Sequence, residues 1–396
     1  MSEDFRGTVR AFLERNLPAD WKGIGALNEA ERAEFRPKWR KIIHDAGYLA
    51  YEFPKEVGGS GYGVRECAII QEEFLRYGAP LIVHPNDNFF MKMCGPTLLQ
   101  WGTQEQKDFF FPRAYSGEHV WCQGYSEPGA GSDLFALRTR ATRDSNGDWV
   151  INGQKIWTTL AFNANWIFAL CRTDPDAPKS KGISFLLVPL DQEGVEVRPI
   201  RTMSGKSEFC EVFFTDARTD ASMLVGPENG GAQVALTLLG FERGSGAAST
   251  AMQHTIELER LAQLIQQRGL ADDPLVRQRF GWCVERVEAL QAMARQIVDT
   301  ASDGAELGPE SSFIKLYATE YDKLALELAL DVLGSDALEH TGADSMVPFG
   351  VEPKGSPLDS SVWLDNYYLS RAATIYGGTS QVQRTTIAER IMGLPR

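Results

Sequence analysis

Asn146-Gly147-Asp148-Trp149-Val150-Ile151-Asn152-Gly153-Gln154-Lys155-Ile156-Trp157-Thr158-Thr159 decides how the chain folds. Both Asn-Gly pairs are hairpin signals, because both residue types tolerate positive φ. Downstream, residues 166–171, 183–188, 195–200 and 211–215 are short β-rich runs that read as strands. Together they predict a β module over residues 119–226.

On either side the period is helical. Phe5, Val9, Phe12 and Leu13 share one face, and Cys67-Ala68-Ile69-Ile70 followed by Phe74-Leu75 repeats the pattern, as do residues 89–99. Pro54, Gly58-Gly59 and Gly61 make a loop, and Thr103-Gln104-Glu105-Gln106 is a capping box opening a helix with Phe109 to Phe111. Beyond Gly230-Gly231, residues 233–239, 251–264, 276–297 and 313–332 are helical. Residues 340–362, rich in Gly, Pro, Ser and Asp, read as a long loop. The expected domains are 1–118, 119–226 and 227–396. Helices, then strands, then helices exclude a doubly wound sheet, and no G-x-G-x-x-G follows a strand.

The chain has 396 residues, 43% of them hydrophobic and 23% charged, which suits two to three globular domains. Its net charge of −13 opposes nucleic-acid binding. Cysteines 67, 94, 122, 171, 210 and 283 form no C-x-x-C, so neither a metal site nor a disulfide scaffold is expected. The first residues lack a signal peptide's apolar core, and the longest apolar runs are far too short for a membrane span. A cytoplasmic chain with no membrane partner is expected.

Four segments could carry chemistry. Residues 229–256 hold only two formal charges, adjacent Glu242 and Arg243, in an apolar helical context. Burial would raise a carboxylate's pKa toward the range of a general base, although an ion pair in a core helix fits equally. Tyr125-Ser126-Glu127-Pro128-Gly129-Ala130-Gly131-Ser132-Asp133 is a polar turn whose N–H and hydroxyl groups could hold a phosphate or heterocycle. In Ile156-Trp157-Thr158-Thr159 the indole offers a planar face and the hydroxyls an edge, unless the Trp simply packs on the sheet. Ile375-Tyr376-Gly377-Gly378-Thr379-Ser380-Gln381 suits either a helix N-terminus facing an anion or a plain turn.

Taken in order, these segments resemble the acyl-CoA dehydrogenase family along nearly the whole chain. Phe53-Pro54-Lys55-Glu56-Val57-Gly58-Gly59, Gly102 to Lys107, and Tyr376 through Arg390 add to the likeness. The resemblance implies an α+β multidomain fold: a helical N-terminal domain, a β-barrel-like middle domain and a C-terminal four-helix bundle. It implies FAD, α,β-dehydrogenation of an acyl-CoA thioester, and an electron-transfer flavoprotein as acceptor. Tyr125, Ser126, Trp157, Thr158 and Thr159 are the expected flavin contacts, and Thr379 and Gln381 the adenosine contacts. Ser132, Arg243 and Tyr376 are expected beside the substrate.

Most members carry the catalytic Glu directly after the Tyr, where this chain has Gly377. A smaller subgroup, including isovaleryl-CoA and bacterial steroid-side-chain dehydrogenases, places it on a bundle helix just before an Arg. Glu242-Arg243 fits that pattern, which makes Glu242 the expected base and the N–H of Gly377 an expected oxyanion donor. The family's Arg-x-x-Phe-Gly signature is absent from 261–269, and Gln-x-x-Gly-Gly reads Asp331-Val332-Leu333-Gly334-Ser335. Both belong to a chain's contribution to its neighbour's FAD, so a heterotetramer with a second, unlike subunit stands beside a homotetramer. A noncatalytic or half-site subunit is the rival expectation. A same-fold flavoprotein that guards DNA or oxidises nitroalkanes is another, and the acidic charge opposes the DNA version.

Overall fold

A computed structural model describes residues 2–244, 246–304, 308–341 and 359–395, with side chains at 2, 3 and 241–244 outside the description. The helices are α1 (Ser2–Asn16), α2 (Glu29–Asp45), α3 (Val64–Arg76), α4 (Asp87–Phe89), α5 (Gly95–Trp101) and α6 (Gln104–Ser116). Eight strands follow: β1 (Trp121–Gly124), β2 (Arg140–Arg143), β3 (Trp149–Thr159), β4 (Trp166–Arg172), β5 (Ile183–Pro189), β6 (Val195–Ile200), β7 (Phe209–Thr219) and β8 (Leu224–Val225). Then come α7 (Gly231–Gly244), α8 (Ala247–Gln267), α9 (Pro274–Ser302), α10 (Ser311–Leu333), α11 (Ser360–Ala373) and α12 (Ser380–Arg390).

These elements form two compact units. One comprises residues 1–52, 61–81 and 243–396; the other comprises 53–60 and 82–242. In the first, α1 buries Val9 and Leu13, and Phe12 packs its ring against Trp39, Tyr48 and Phe74. Arg6 and Arg10 both reach the fully buried Glu73 of α3, so the carboxylate is compensated where it leaves water. Helices α8 to α11 share a core that includes Leu261, Leu264, Val287, Leu328 and Trp363. Inside it, His254 sits 2.6 Å from the Thr250 carbonyl and 2.8 Å from Asp322 Oδ1. Two acceptors for two ring nitrogens call for an imidazolium.

The second unit is built on one sheet in the order β6-β7-β3-β2-β4-β5-β8, with β1 parallel to β4. Both faces of β4 and β5 are covered, which is why their sequences are apolar without alternation. Ile151, Ile167, Leu186 and Val212 lie in one core, while Phe168 and Phe185 stack at 5.8 Å on the opposite face. Thr103 caps α6 as a capping box with Gln106, whose amide also donates to the carbonyls of Ser222 and Leu224.

Three expectations change. Asn146-Gly147 does turn β2 into β3, but Asn152-Gly153 lies within β3 and turns nothing. Asn152 there exchanges hydrogen bonds with Asp216, an extra residue on β7 at φ 52°, and a Cβ at Gly153 would come within 2.6 Å of Thr139 Cα. The apolar run 229–256 is not buried throughout. It divides between α7 and α8 in a Gly-Ser-Gly context, and Leu236 of α7 is 58% exposed. The long loop expected at 340–362 falls mostly outside the described residues, and its last residues, from Ser360, already begin α11.

Candidate active site

In the sheet unit the candidate site is built on an irregularity of β3. Lys155 pairs with Val212 and Thr158 with Cys210, so β3 spends one residue more than β7 over this step. The result is a bulge at Ile156-Trp157, with Trp157 at φ 59°. That conformation costs a non-glycine residue about 1–2 kcal/mol. Leu160, three residues on, is at φ 54°, so two of the four non-glycine residues of positive φ among those described fall in one short stretch. Strain so concentrated singles this segment out as the candidate site. The bulge turns the Trp157 indole outward, 57% exposed, with its edge toward Phe209 at 6.2 Å. Thr158 is buried beside it, and its Oγ1 has no hydrogen-bond partner.

The 125–133 turn is bound to this bulge. The N–H of Ile156 donates to the Ser126 carbonyl at 2.9 Å. Lys155 Nζ, fully buried, donates to the Tyr125 carbonyl at 3.2 Å and to Glu127 Oε1 at 2.8 Å. Glu127 also accepts from the main-chain N–H groups of Arg138 and Thr139. Burial works against the Glu127 carboxylate, but the Lys155 charge and these donors hold its pKa below the ordinary value. Glu127 and Ala130 exchange two main-chain hydrogen bonds, which closes the Pro128-Gly129 turn.

In the helical unit, Gly377 and Gly378 both have positive φ, 63° and 90°, and open α12. Their carbonyls are gathered inward: Gln383 Nε2 reaches both, and Lys315 Nζ donates to Gly378 at 2.7 Å. Thr379 is the N-cap, accepting from Val382 N–H. Ser380 donates to Glu320 Oε1 of α10, whose pKa is lowered chiefly by that bond.

The sequence-expected residues therefore fall into groups. Ser126, Trp157, Thr158 and Thr159 are brought together by the bulge and its clamp. Tyr125 joins them through its main chain, because its ring is buried, edge-on to Phe168 and Phe185. Ser132 is exposed in the turn that follows. Tyr376, Gly377, Thr379 and Gln381 sit at the opening of α12, with Tyr376 50% exposed. Glu242 and Arg243 lie in the last turn of α7, and their side chains are outside the described residues. The sequence reading gave no role to Lys155, Glu127, Lys315 or Gln383. For Lys155 a signal existed: alternation from Trp149 and Ile151 puts it on the core face of β3, where a charge demands a buried partner. Within the sheet unit, an outward indole and a partnerless buried hydroxyl suit a flat heterocycle with a polar edge.

Three domain families match in sequence: acyl-CoA dehydrogenase, N-terminal domain, over residues 2–118; middle domain, over 122–217; and C-terminal domain, over 229–392. The chain belongs to the acyl-CoA dehydrogenase family of flavoprotein oxidoreductases. It is 38% identical over 398 residues to acyl-CoA dehydrogenase IpdE1 of Mycobacterium tuberculosis, covering 100% of this chain and 98% of that one. Among solved structures it resembles the Tcur3481-Tcur3483 steroid acyl-CoA dehydrogenase, with TM-score 0.80, 30% identity and coverage of 100% and 98%. It also resembles the ChsE4-ChsE5 complex of M. tuberculosis, with TM-score 0.78, 28% identity and coverage of 100% and 97%.

Proposed function

We propose that this chain binds FAD and dehydrogenates a medium, branched or ring-bearing acyl-CoA to the trans-2-enoyl-CoA. Glu242 is the base, and an electron-transfer flavoprotein is the acceptor. The observation that carries the base assignment is the pairing of Gly377, which offers no carboxylate after Tyr376, with Glu242-Arg243 as the only formal charges in 229–256. Bound FAD supplies a hydride acceptor. The chain's own residues do the rest. Trp157, Thr158 and Thr159 hold the ring, Ser126 and the Tyr125 main chain border it, and Thr379 and Gln381 hold the adenosine half. Ser132, Arg243 and Tyr376 contact the acyl-CoA.

The α-proton of a thioester is far too weakly acidic for a carboxylate acting alone, so the developing oxyanion needs a positioned donor. The Gly377 N–H is suited to that task, because the carbonyls of this turn are drawn toward Lys315 and Gln383. A glycine here also leaves room beside the α-carbon, which favours branched or ring-bearing acyl groups. The steroid wording attached to the Tcur3481-Tcur3483 structure agrees with that choice.

Glu242→Gln is expected to retain the flavin spectrum and lose substrate-dependent bleaching, with turnover down by about 10²–10⁴-fold. Normal turnover in that variant would remove Glu242 from the chemistry.

A second reading has its own support. The absent Arg-x-x-Phe-Gly and altered Gln-x-x-Gly-Gly segments, together with two structural relatives named as pairs, favour a heterotetramer with an unlike subunit over a homotetramer. In its limiting form this chain is the noncatalytic or half-site member. A colourless purified chain that takes up no added FAD would favour that form.

A further inference from the structure

We propose that Lys155 is a positioning residue: with Glu127 it clamps the 125–127 turn to β3 and so holds the bulge that presents Trp157. The inference rests on the reading of Trp157 as a flavin-facing residue. At the bulge the regular β3–β7 pairing is interrupted between Lys155 and Thr158, so Ile156 and Trp157 have no paired residue on β7, and the Phe209 ring is the β7 group that Trp157 meets. A strained residue persists only where its surroundings over-determine it. The surroundings here are the 125–127 turn, reached by the Ile156 N–H and by Lys155 Nζ. Glu127 extends the clamp to a third segment, since it is itself fixed by the N–H groups of Arg138 and Thr139.

An ammonium is needed at this point because it has several donors and can serve the Tyr125 carbonyl and the Glu127 carboxylate together. A buried ion pair contributes little to stability compared with an apolar pair of similar shape, whereas removing one partner alone strands a charge. The economical explanation for keeping it is the geometry it imposes. Without it, the bond from Lys155 to the Tyr125 carbonyl is lost, and Ile156-Trp157 can relax toward a regular strand.

The test uses the double variant Lys155→Met with Glu127→Gln, which leaves no lone buried charge and keeps one amide oxygen to accept from the Arg138 or Thr139 N–H. Full-length wild-type and variant chains are compared by melting, by hydrogen exchange without flavin, and by FAD titration. Expected are a native-like melting transition, at least about tenfold faster exchange at 154–159 with 166–172 unchanged, and at least about tenfold weaker FAD binding with a shifted flavin absorption band. A variant that matches wild type in exchange and in flavin spectrum overturns the proposal. Should the double variant fail to fold, Lys155→Arg, which keeps the charge beside Glu127 while re-aiming its donors, must show the same changes in smaller degree; wild-type behaviour there also overturns it. If wild type takes up no FAD, the flavin reading fails, while the exchange experiment still decides whether Lys155 holds the bulge.

Discussion

Trp157 joins a strained backbone to an exposed side chain, and the two have separable effects. Glycine at 157 would relieve the αL cost while forfeiting the edge contact to Phe209, each about 1 kcal/mol. Trp157→Gly is therefore expected to melt within a few degrees of wild type and to bind FAD at least about tenfold more weakly, as read by titration of the apoprotein. A large loss of stability with FAD affinity intact would reverse the assignment and make the indole a packing residue. At Gly378 the backbone alone matters: φ 90° is open to glycine, and Gly378→Ala is expected to cost about 1–2 kcal/mol in denaturant unfolding. A cost near zero would show that the opening of α12 is free to adjust.

Among the elements, those written in local chemistry were legible. The capping box at Thr103, the Asn146-Gly147 turn and the apolar face of α1 each depend on neighbours in sequence, and each took the form that its residues dictate. Strands β4 and β5 were legible because burial on both faces leaves an apolar run. The bulge in β3 was not, since an extra residue is defined only against the register of β7, about fifty positions away in the chain. Asn152-Gly153 misled for the same reason: its glycine serves a close approach of Thr139, a tertiary demand with the signature of a turn. Of the candidate site, the motif residues were readable through family resemblance, and the groups that hold them in place were not.

The α8–α10 link has a pH dependence of its own. Burial works against a charged His254, but the Asp322 carboxylate beside it lifts its pKa to about 9. Burial, and then the Asp322 carboxylate of α10, push the Glu257 carboxyl up to about 8 against the His254 charge. Folded pKa values above the ordinary 6.5 and 4.5 mean that the native state holds protons which the unfolded chain releases earlier. The associated stability is complete at low pH, falls for Glu257 through about 8 and for His254 through about 9. Glu257→Gln should flatten the melting-temperature profile between about pH 4.5 and 6.5 and leave the His254 limb from there to about 9; an unchanged slope would contradict this.

For the whole molecule the acid limb has the opposite sign. Burial raises Glu73, but its hydrogen bonds from Arg10 and Arg6 prevail and hold its pKa below the ordinary value; Glu127 behaves likewise beside Lys155. Depressed carboxylates contribute stability above their unfolded pKa and lose it as pH falls through the folded one. The melting temperature is thus expected to decline on both sides of about pH 4.5, with Glu73→Gln blunting the acid side; a melting temperature that keeps rising as pH falls below about 4 would refute the scheme. The bulge in β3 has a last consequence, for the length of the chain. The extra residue is what lets Lys155 and Thr158, three apart, share a face, so a sequence lacking one residue at 156 or 157 would pair regularly with β7, keep Thr158 opposite Cys210 and Thr159 opposite Phe209, and lose only the outward turn that presents the indole. Most single-residue gaps in a protein cost order; this one would restore order and erase the site, leaving a well-formed protein with nothing to grip.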